Sequence, residues 1–223
     1  MQVIEYADRA VAARGLADQM ADGLRAHLQA GGPVTLAVPG GTTPGPVFDL
    51  LCAEELAWDR VTILLTDERW VPDTHERSNA GLIRERLLQG PAAQAQFIPF
   101  YKAGITADAA TEVLSSDLSG HLPLSVLVLG MGADMHTASL FPGAHGLAAA
   151  LHPGAPAVCA ITTDSQPEPR ITLSAPVLNG ALDKHLVIFG DDKRQALKAA
   201  MELEPAAAPI SAVIQGGTVH WAP

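Results

Sequence analysis

The sequence predicts an α/β fold of three layers, αβα, in which a mainly parallel, Rossmann-like sheet lies between helices. Short apolar runs alternate along the chain with longer segments that carry alanine and leucine at helical spacing. The runs are continuously apolar, as expected of strands that helices cover on both faces. Strands and helices that alternate at this spacing form parallel βαβ crossovers, and such sheets bind ligands at the carboxyl ends of their strands.

Capping residues and helix breakers mark the first elements. Asp8 is placed to cap a helix over residues 8–29, and a Gly-Gly-Pro sequence ends it. An apolar strand is expected at 34–38. The next helix, 44–52, begins at Pro44, because proline suits the first turn of a helix.

The remaining elements complete the alternation. An apolar strand at 61–65 ends in charged residues, and Ser78 is placed near the cap of a helix over 78–88. We then expect a helix at 106–119, a strand at 125–130, strands near 157–162 and 185–190, a helix at 191–203 and a last strand around 210–214. No repeat, low-complexity tract or charged linker interrupts this order, so residues 1–223 are expected to form a single domain.

Composition and charge restrict the classes of function. Hydrophobic residues make up 48% of the 223-residue chain and charged residues 17%, which allows a substantial globular core. The formal charge of -10 argues against nucleic acid or an anionic membrane as partner, since both require a basic surface. Charged residues near the N-terminus argue against a secretory signal peptide, and no apolar run is long enough to span a membrane, so we expect a cytoplasmic protein. Cys52 and Cys159 have neither disulfide-framework nor zinc spacing and are expected to be core thiols.

The most informative motif follows the strand at 125–130. Residues 130–136 place Asp134 and His136 in a turn that Gly130 and Gly132 make possible. An imidazole at the carboxyl end of a strand is suited to activate water at neutral pH. The alternative is a glycine turn whose histidine only hydrogen-bonds the backbone.

Two further loops are expected at the same edge of the sheet. Gly40-Gly41-Thr42-Thr43 offers free amides and hydroxyls that suit a phosphate or carboxylate, or it is a tight strand-to-helix turn with a threonine cap. Asp67-Glu68-Arg69 could accept sugar hydroxyl protons or pair with an oxyanion, or it is a solvated loop. Because no lysine or arginine lies between Lys102 and Arg170, Arg170 and then Lys193 are candidate anion ligands in an acidic second half, with ordinary surface charges as the alternative.

Several catalytic signatures are missing. Met135 stands where a dinucleotide fingerprint has its third glycine, which argues against NAD, and the glycine loop lacks the lysine of a P-loop. Neither a Gly-x-Ser-x-Gly elbow nor a His-Glu-x-x-His sequence occurs, so Ser139 is interpreted as a structural hydroxyl. No cofactor and no metal are implied.

The order of these motifs resembles the bacterial 6-phosphogluconolactonase family over nearly the whole chain. The motifs are Val38-Pro39-Gly40-Gly41-Thr42-Thr43-Pro44, Thr66-Asp67-Glu68-Arg69-Trp70-Val71, Ser78-Asn79, residues 130–143, Arg170-Ile171-Thr172-Leu173 and Gly190-Asp191-Asp192-Lys193. The block His136-Thr137-Ala138-Ser139-Leu140-Phe141-Pro142 is the most specific, because the related glucosamine-6-phosphate deaminases share the glycine loop and the core around the histidine but not Ser-Leu-Phe-Pro. Met135 departs from the glycine that is common in the family.

The resemblance implies the α/β fold of those deaminases and hydrolysis of 6-phospho-D-glucono-1,5-lactone in the pentose phosphate pathway. His136 would activate the water, and Asp134 would fix its imidazole. Asp67 would contact sugar hydroxyls or orient Arg69, and Arg69 or backbone amides would stabilise the oxyanion.

The substrate phosphate would lie among Gly40, Gly41, Thr42, Thr43, Arg170 and Lys193. The alternatives are an amino-sugar-phosphate deaminase or isomerase and a sugar-phosphate-binding regulator without turnover. A small sugar-phosphate lactone is thus the expected partner, and the oligomeric state is left open.

Overall fold

A computed structural model describes all residues, Met1–Pro223. Its ten strands are β1 (Gln2–Glu5), β2 (Val34–Val38), β3 (Val61–Leu65), β4 (Asp67–Arg69), β5 (Gln96–Ile98), β6 (Val126–Leu129), β7 (Val158–Ile161), β8 (Arg170–Leu173), β9 (Asp183–Phe189) and β10 (Thr218–Ala222). The α-helices are α1 (Arg9–Ala30), α2 (Gly45–Leu51), α3 (Asn79–Arg86), α4 (Ala107–Asp117), α5 (Leu147–Leu151), α6 (Ala175–Asn179), α7 (Asp191–Ala200) and α8 (Ile210–Val213).

Seven strands form one sheet in the order β1-β10-β9-β6-β2-β3-β5. Every neighbouring pair in it is parallel. Helices cover the sheet, and one cluster of 57 buried hydrophobic residues joins the layers. The three-layer, mainly parallel architecture predicted from the alternating pattern is confirmed. None of the helices combines the length and the apolar character needed to cross a membrane.

The caps of two helices form as predicted. The Asp8 side chain accepts a hydrogen bond from the amide of Val11, and that of Ser78 accepts one from the amide of Gly81. These bonds satisfy amides that the first turn of a helix leaves free. Strands β2 and β3 have the predicted bounds, and their side chains are buried throughout.

Two predictions about strands are wrong. The last strand is β10, and residues 210–213, expected to be a strand, form α8, because a short apolar run does not distinguish the two structures. The strand near 157–162 exists as β7, but it lies in a second, antiparallel sheet of order β4-β8-β7. Cys159 is buried as expected, whereas Cys52 is partly exposed, and both are free thiols.

Candidate active site

The chain reverses direction along the large sheet between two neighbouring strands, β2 and β6. From β2 the chain proceeds outward through β3 and β5, and from β6 it proceeds to the opposite edge through β9 and β10. The loops that leave β2 and β6 therefore diverge and open a crevice at the carboxyl ends of the strands. These loops carry the glycine sequence at 40–43 and the histidine turn at 130–136.

A cavity of about 480 Å³ occupies this crevice. Eight of the ten predicted site residues line it: Gly40, Gly41, Thr43, Asp67, Arg69, His136, Arg170 and Lys193. Asp134 does not line the cavity, but its side chain contacts His136, which does. Thr42 is exposed and does not line the cavity, so the expectation that it contacts the ligand is not supported by its position.

His136 and Asp134 form a hydrogen-bonded pair. Nδ1 of His136 lies 2.5 Å from Oδ1 of Asp134. A carboxylate accepts this bond only from a protonated Nδ1, so the neutral imidazole keeps Nε2 free to take a proton. Burial acts to raise the pKa of Asp134, but the hydrogen bonds and the charge of His136 outweigh it and hold that pKa below its ordinary value. The imidazole also packs on Phe141, with 4.3 Å between ring centroids.

The backbone of the turn before His136 accounts for two of its residues, Gly132 and Met135. The amide of Gly132 donates to the carbonyl of His136 at 2.9 Å, and a Cβ on Gly132 would overlap the imidazole and the Asp134 carboxylate. Met135 has φ 66, a left-handed conformation that favours glycine. The turn thus adopts, with methionine, the backbone for which glycine is the usual residue.

Asp67 and its neighbours form a further part of the cavity wall. The Asp67 side chain is buried and accepts hydrogen bonds from Ser139 Oγ at 2.6 Å and Thr66 Oγ1 at 3.2 Å. Arg170 Nη1 lies 4.0 Å from its Oδ2. Its ion pair is thus with Arg170, and no direct contact supports the alternative in which Asp67 orients Arg69.

Arg69 and Arg170 are opposite residues of the antiparallel pair β4–β8. Arg69 donates to the carbonyl of Arg77, and Arg170 donates to the side chain of Gln166. Burial lowers the pKa of Arg170, and the neighbouring charge of Arg69 lowers it further. Arg170 has the carboxylates of Asp67 and Glu168 nearby, whereas Arg69 has no carboxylate within 4.0 Å, so positive charge remains for an anionic ligand.

Glu68 takes no part in the cavity. It is fully buried and accepts hydrogen bonds from Ser78 Oγ at 3.1 Å and from the amides of Asn79 and Ala80 at 2.8 and 2.7 Å. Burial raises its pKa although these amides act in the opposite direction. The expectation that all three charges of 67–69 meet a ligand or solvent is wrong for Glu68, which anchors the start of α3.

Lys193 lies in the first turn of α7 and lines the cavity. Its Nζ donates to the carbonyl of Met131 at 2.8 Å, and burial lowers its pKa despite the opposing charge of Asp134. The glycine loop faces it from β2, where the Asn79 amide side chain packs on Gly40 and donates to the carbonyl of Asp67 at 2.8 Å. No group of three or more His, Cys, Asp or Glu side chains in the chain could hold a metal ion.

Sequence reasoning missed three further polar side chains that line the cavity: Arg9, Asn79 and Gln166. Asn79 belongs to the Ser78-Asn79 motif, and that motif could have indicated its place in the site. Arg9 and Gln166 stand in no motif, and only the positions of β1 and β8 bring them to this edge of the sheet.

Comparisons with known proteins agree with this geometry. A family model described as glucosamine-6-phosphate isomerases/6-phosphogluconolactonase matches residues 7–221. The chain is 42% identical to a 6-phosphogluconolactonase of Pseudomonas aeruginosa over 95% of this chain and 90% of that protein. It is 40% identical to one of Rhizobium meliloti, over 95% and 94%.

Solved structures are similar over the full length. A 6-phosphogluconolactonase from Shewanella baltica superposes with a TM-score of 0.95 at 33% identity, covering 100% of this chain and 98% of that chain. A putative 6-phosphogluconolactonase from Neisseria gonorrhoeae has a TM-score of 0.91 at 36% identity, with 100% of both chains covered.

Proposed function

The chain belongs to the glucosamine-6-phosphate isomerase/6-phosphogluconolactonase family, and from this we propose that it hydrolyses 6-phospho-D-glucono-1,5-lactone to 6-phosphogluconate in the oxidative pentose phosphate pathway. The observation that carries the proposal is the His136–Asp134 pair on the wall of a cavity lined by Arg9, Arg69, Arg170 and Lys193. The cavity therefore contains a base that can activate water and cations that can bind a phosphate, and hydrolysis of a phosphorylated ester requires both. This carboxylic ester hydrolase would act on a small molecule in the cytoplasm.

His136 acts as the general base in the proposed mechanism. Its Nε2 takes a proton from a water molecule as the water oxygen attacks the lactone carbonyl carbon. The tetrahedral intermediate then collapses, the bond between the carbonyl carbon and the ring oxygen breaks, and the imidazolium returns its proton to that oxygen. Asp134 keeps Nδ1 protonated and stabilises the imidazolium, a division of roles that its hydrogen bond to Nδ1 supports.

Positive charge stabilises the oxyanion of the intermediate. Arg69 is the candidate donor, because it lines the cavity and no carboxylate lies within 4.0 Å of its guanidinium group. Asp67 holds Arg170 in place and has one face toward the cavity, where it can accept a hydrogen bond from a sugar hydroxyl. A charged side chain whose position is fixed before the reaction begins stabilises developing charge without reorganisation of the site.

The substrate phosphate is placed among the amides of Gly40 and Gly41, the hydroxyl of Thr43, and the cations Arg170 and Lys193. Gly41 has φ 90, which turns the loop backbone in a way that residues with a Cβ disfavour. Helix α2 has only seven residues. The side-chain cations therefore supply most of the attraction for a dianion, in a protein of net charge -10.

The test is a lactonase assay on the purified protein, with the spontaneous hydrolysis of the lactone subtracted. We expect turnover of the phosphorylated lactone, and we expect His136→Ala to lower kcat by about 10²–10⁴-fold while 6-phosphogluconate still binds. Full activity after chelation is a second expected result. Wild-type turnover in His136→Ala would overturn the assignment of the base.

One other substrate and the reaction product distinguish the alternatives. Release of ammonia from glucosamine-6-phosphate, without lactone hydrolysis, would identify a deaminase. Binding of 6-phosphogluconate without turnover of either substrate would identify a non-catalytic regulator.

A further inference from the structure

Arg9 lies at the catalytic edge of the sheet because of the path of the first helix. Helix α1 follows the carboxyl end of β1 and packs side by side with α2, which starts directly after the glycine loop. Arg9 is the first residue of α1 and lines the same cavity as His136 and Lys193. A position in the first turn of α1 therefore faces the ligand space.

The Arg9 guanidinium group is oriented by two contacts. Its Cζ lies 5.3 Å from the centroid of the Phe189 ring, and Nε donates to the carbonyl of Pro223 at 3.2 Å. Phe189 ends β9, the strand that leads into Lys193, and it also lines the cavity. Stacking on an aromatic ring and one hydrogen bond hold the planar group in place, with its terminal nitrogens unused.

Arg9 differs from most arginines of the chain in having no acidic partner. Seven others have a carboxylate within 4.0 Å: Arg14, Arg25, Arg77, Arg84, Arg86, Arg170 and Arg194. Arg194 shows the contrast, since it stacks on Trp221 in a similar way but pairs with Glu5. A stacked guanidinium group without a carboxylate, at the wall of a cation-lined cavity, is suited to bind an oxyanion by two parallel hydrogen bonds.

We propose that Arg9 is a further residue of the phosphate subsite, and that its terminal nitrogens bind the phosphate of the substrate together with Lys193. This inference rests on the proposed function. Arg9 would select phosphorylated over unphosphorylated lactones and take no part in the chemical step. Its loss is therefore expected to raise KM without lowering kcat.

The test compares Arg9→Gln with Arg14→Gln on 6-phosphogluconolactone and on unphosphorylated glucono-1,5-lactone. The two variants change the net charge equally and lie on the same helix, but Arg14 is outside the cavity. We expect Arg9→Gln to raise KM for the phosphorylated lactone about tenfold, the lower end of the effect of a charge-assisted hydrogen bond, because Arg9 is exposed. Its kcat, its turnover of the unphosphorylated lactone, and all parameters of Arg14→Gln are expected to stay within about twofold of wild type.

Calorimetric binding of 6-phosphogluconate and gluconate provides a readout that does not depend on turnover. Arg9→Gln is expected to weaken 6-phosphogluconate binding about tenfold and to leave gluconate binding unchanged. Equal losses for both ligands, or no loss for either, would overturn the role of Arg9. A wild-type protein that binds 6-phosphogluconate through Arg9 yet hydrolyses neither lactone would overturn the proposed function and leave the phosphate subsite standing.

Discussion

Ser139 Oγ donates a 2.6 Å hydrogen bond to Oδ2 of Asp67, and this bond joins the loop of His136 to the strand that carries Arg69. Both partners are buried, Ser139 fully and Asp67 to 6% exposure. The same oxygen, Oδ2 of Asp67, lies 4.0 Å from Nη1 of Arg170. A serine that follows the proposed base by three positions therefore links the loop of His136 to Asp67 and, through it, to Arg170.

Ser139→Ala is expected to reduce the free energy of unfolding by about 1.5–3 kcal/mol, because it leaves a buried carboxylate without its shortest hydrogen bond. The urea unfolding curve measures this change. Ser174→Ala is the matched control, since Ser174 is equally buried and its Oγ has no hydrogen-bond partner. Equal losses in the two variants would show that packing, and not the bond to Asp67, accounts for the effect.

Gly132→Ala is expected to lower kcat strongly while the chain still folds. The added Cβ would overlap Nδ1 of His136 and the carboxylate of Asp134, so the imidazole must move out of its hydrogen bond. Gly130→Ala in the same turn provides the comparison, because its Cβ would meet no atom within 4 Å. Steady-state kinetics of both variants, with circular dichroism as a check of folding, decide the matter. If the two substitutions have equal effects on kcat, the close approach at Gly132 is unimportant.

Met135→Gly is expected to be more stable than Met135→Ala by about 1 kcal/mol. Both variants remove the same partly buried side chain, but only glycine adopts φ 66 without strain. Thermal unfolding compares them directly. A Met135→Ala protein at least as stable as Met135→Gly would mean that the left-handed conformation carries no measurable strain. Turnover is expected to survive in both, since the hydrogen bond between Asp134 and His136 does not involve Met135.

The parts of the fold that the sequence predicted are those that local pattern determines. Strands β2 and β3 are unbroken apolar runs with loop residues at each end, and both have the predicted bounds. Strand β8 was missed although Arg170–Leu173 alternates polar and apolar residues, a pattern that indicates a strand with one exposed face; in the structure all four residues are buried. Its burial results from pairing with β4 and β7, which are distant in the sequence, and no local pattern carries that information.

In the candidate site, too, local sequence pattern predicted some features, whereas others depend on residues that are distant in the sequence. Glycine turns at the ends of apolar strands predicted correctly that the loops of Gly40 and His136 meet. The hydrogen-bond and ion-pair partners of the charged side chains were not predictable. Asp67 and Glu68 are neighbours in sequence, but their carboxylates contact different residues. One carboxylate faces Ser139 and Arg170, whereas the other caps α3. Alternate side chains of a strand lie on opposite faces, but the sequence did not reveal that these residues form one.

Three hydrogen-bonded side chains outside the cavity, those of Tyr6, His220 and His185, make the free energy of unfolding depend on pH. Tyr6 Oη lies 2.8 Å from Nδ1 of His220, and Nε2 of His220 lies 3.1 Å from Nδ1 of His185. Burial, together with the neighbouring His185, lowers the pKa of His220 to about 3 from an ordinary value of 6.5. Burial lowers the pKa of His185 as well. Both histidines are therefore neutral in the folded protein near neutral pH.

The unfolded chain takes up a proton at His220 as the pH falls below about 6.5, whereas the folded protein does so only near pH 3. The contribution of neutral His220 to stability is therefore complete above pH 6.5 and decreases by up to about 1.4 kcal/mol per pH unit as the pH falls toward 3. His220→Gln is expected to reduce this slope in urea unfolding measured from pH 7.5 to 4.5. His145→Gln, which removes an exposed histidine outside the chain of hydrogen bonds, is expected to keep it. If His220→Gln and the wild type lose stability in parallel over this range, carboxylates and not His220 cause the pH dependence.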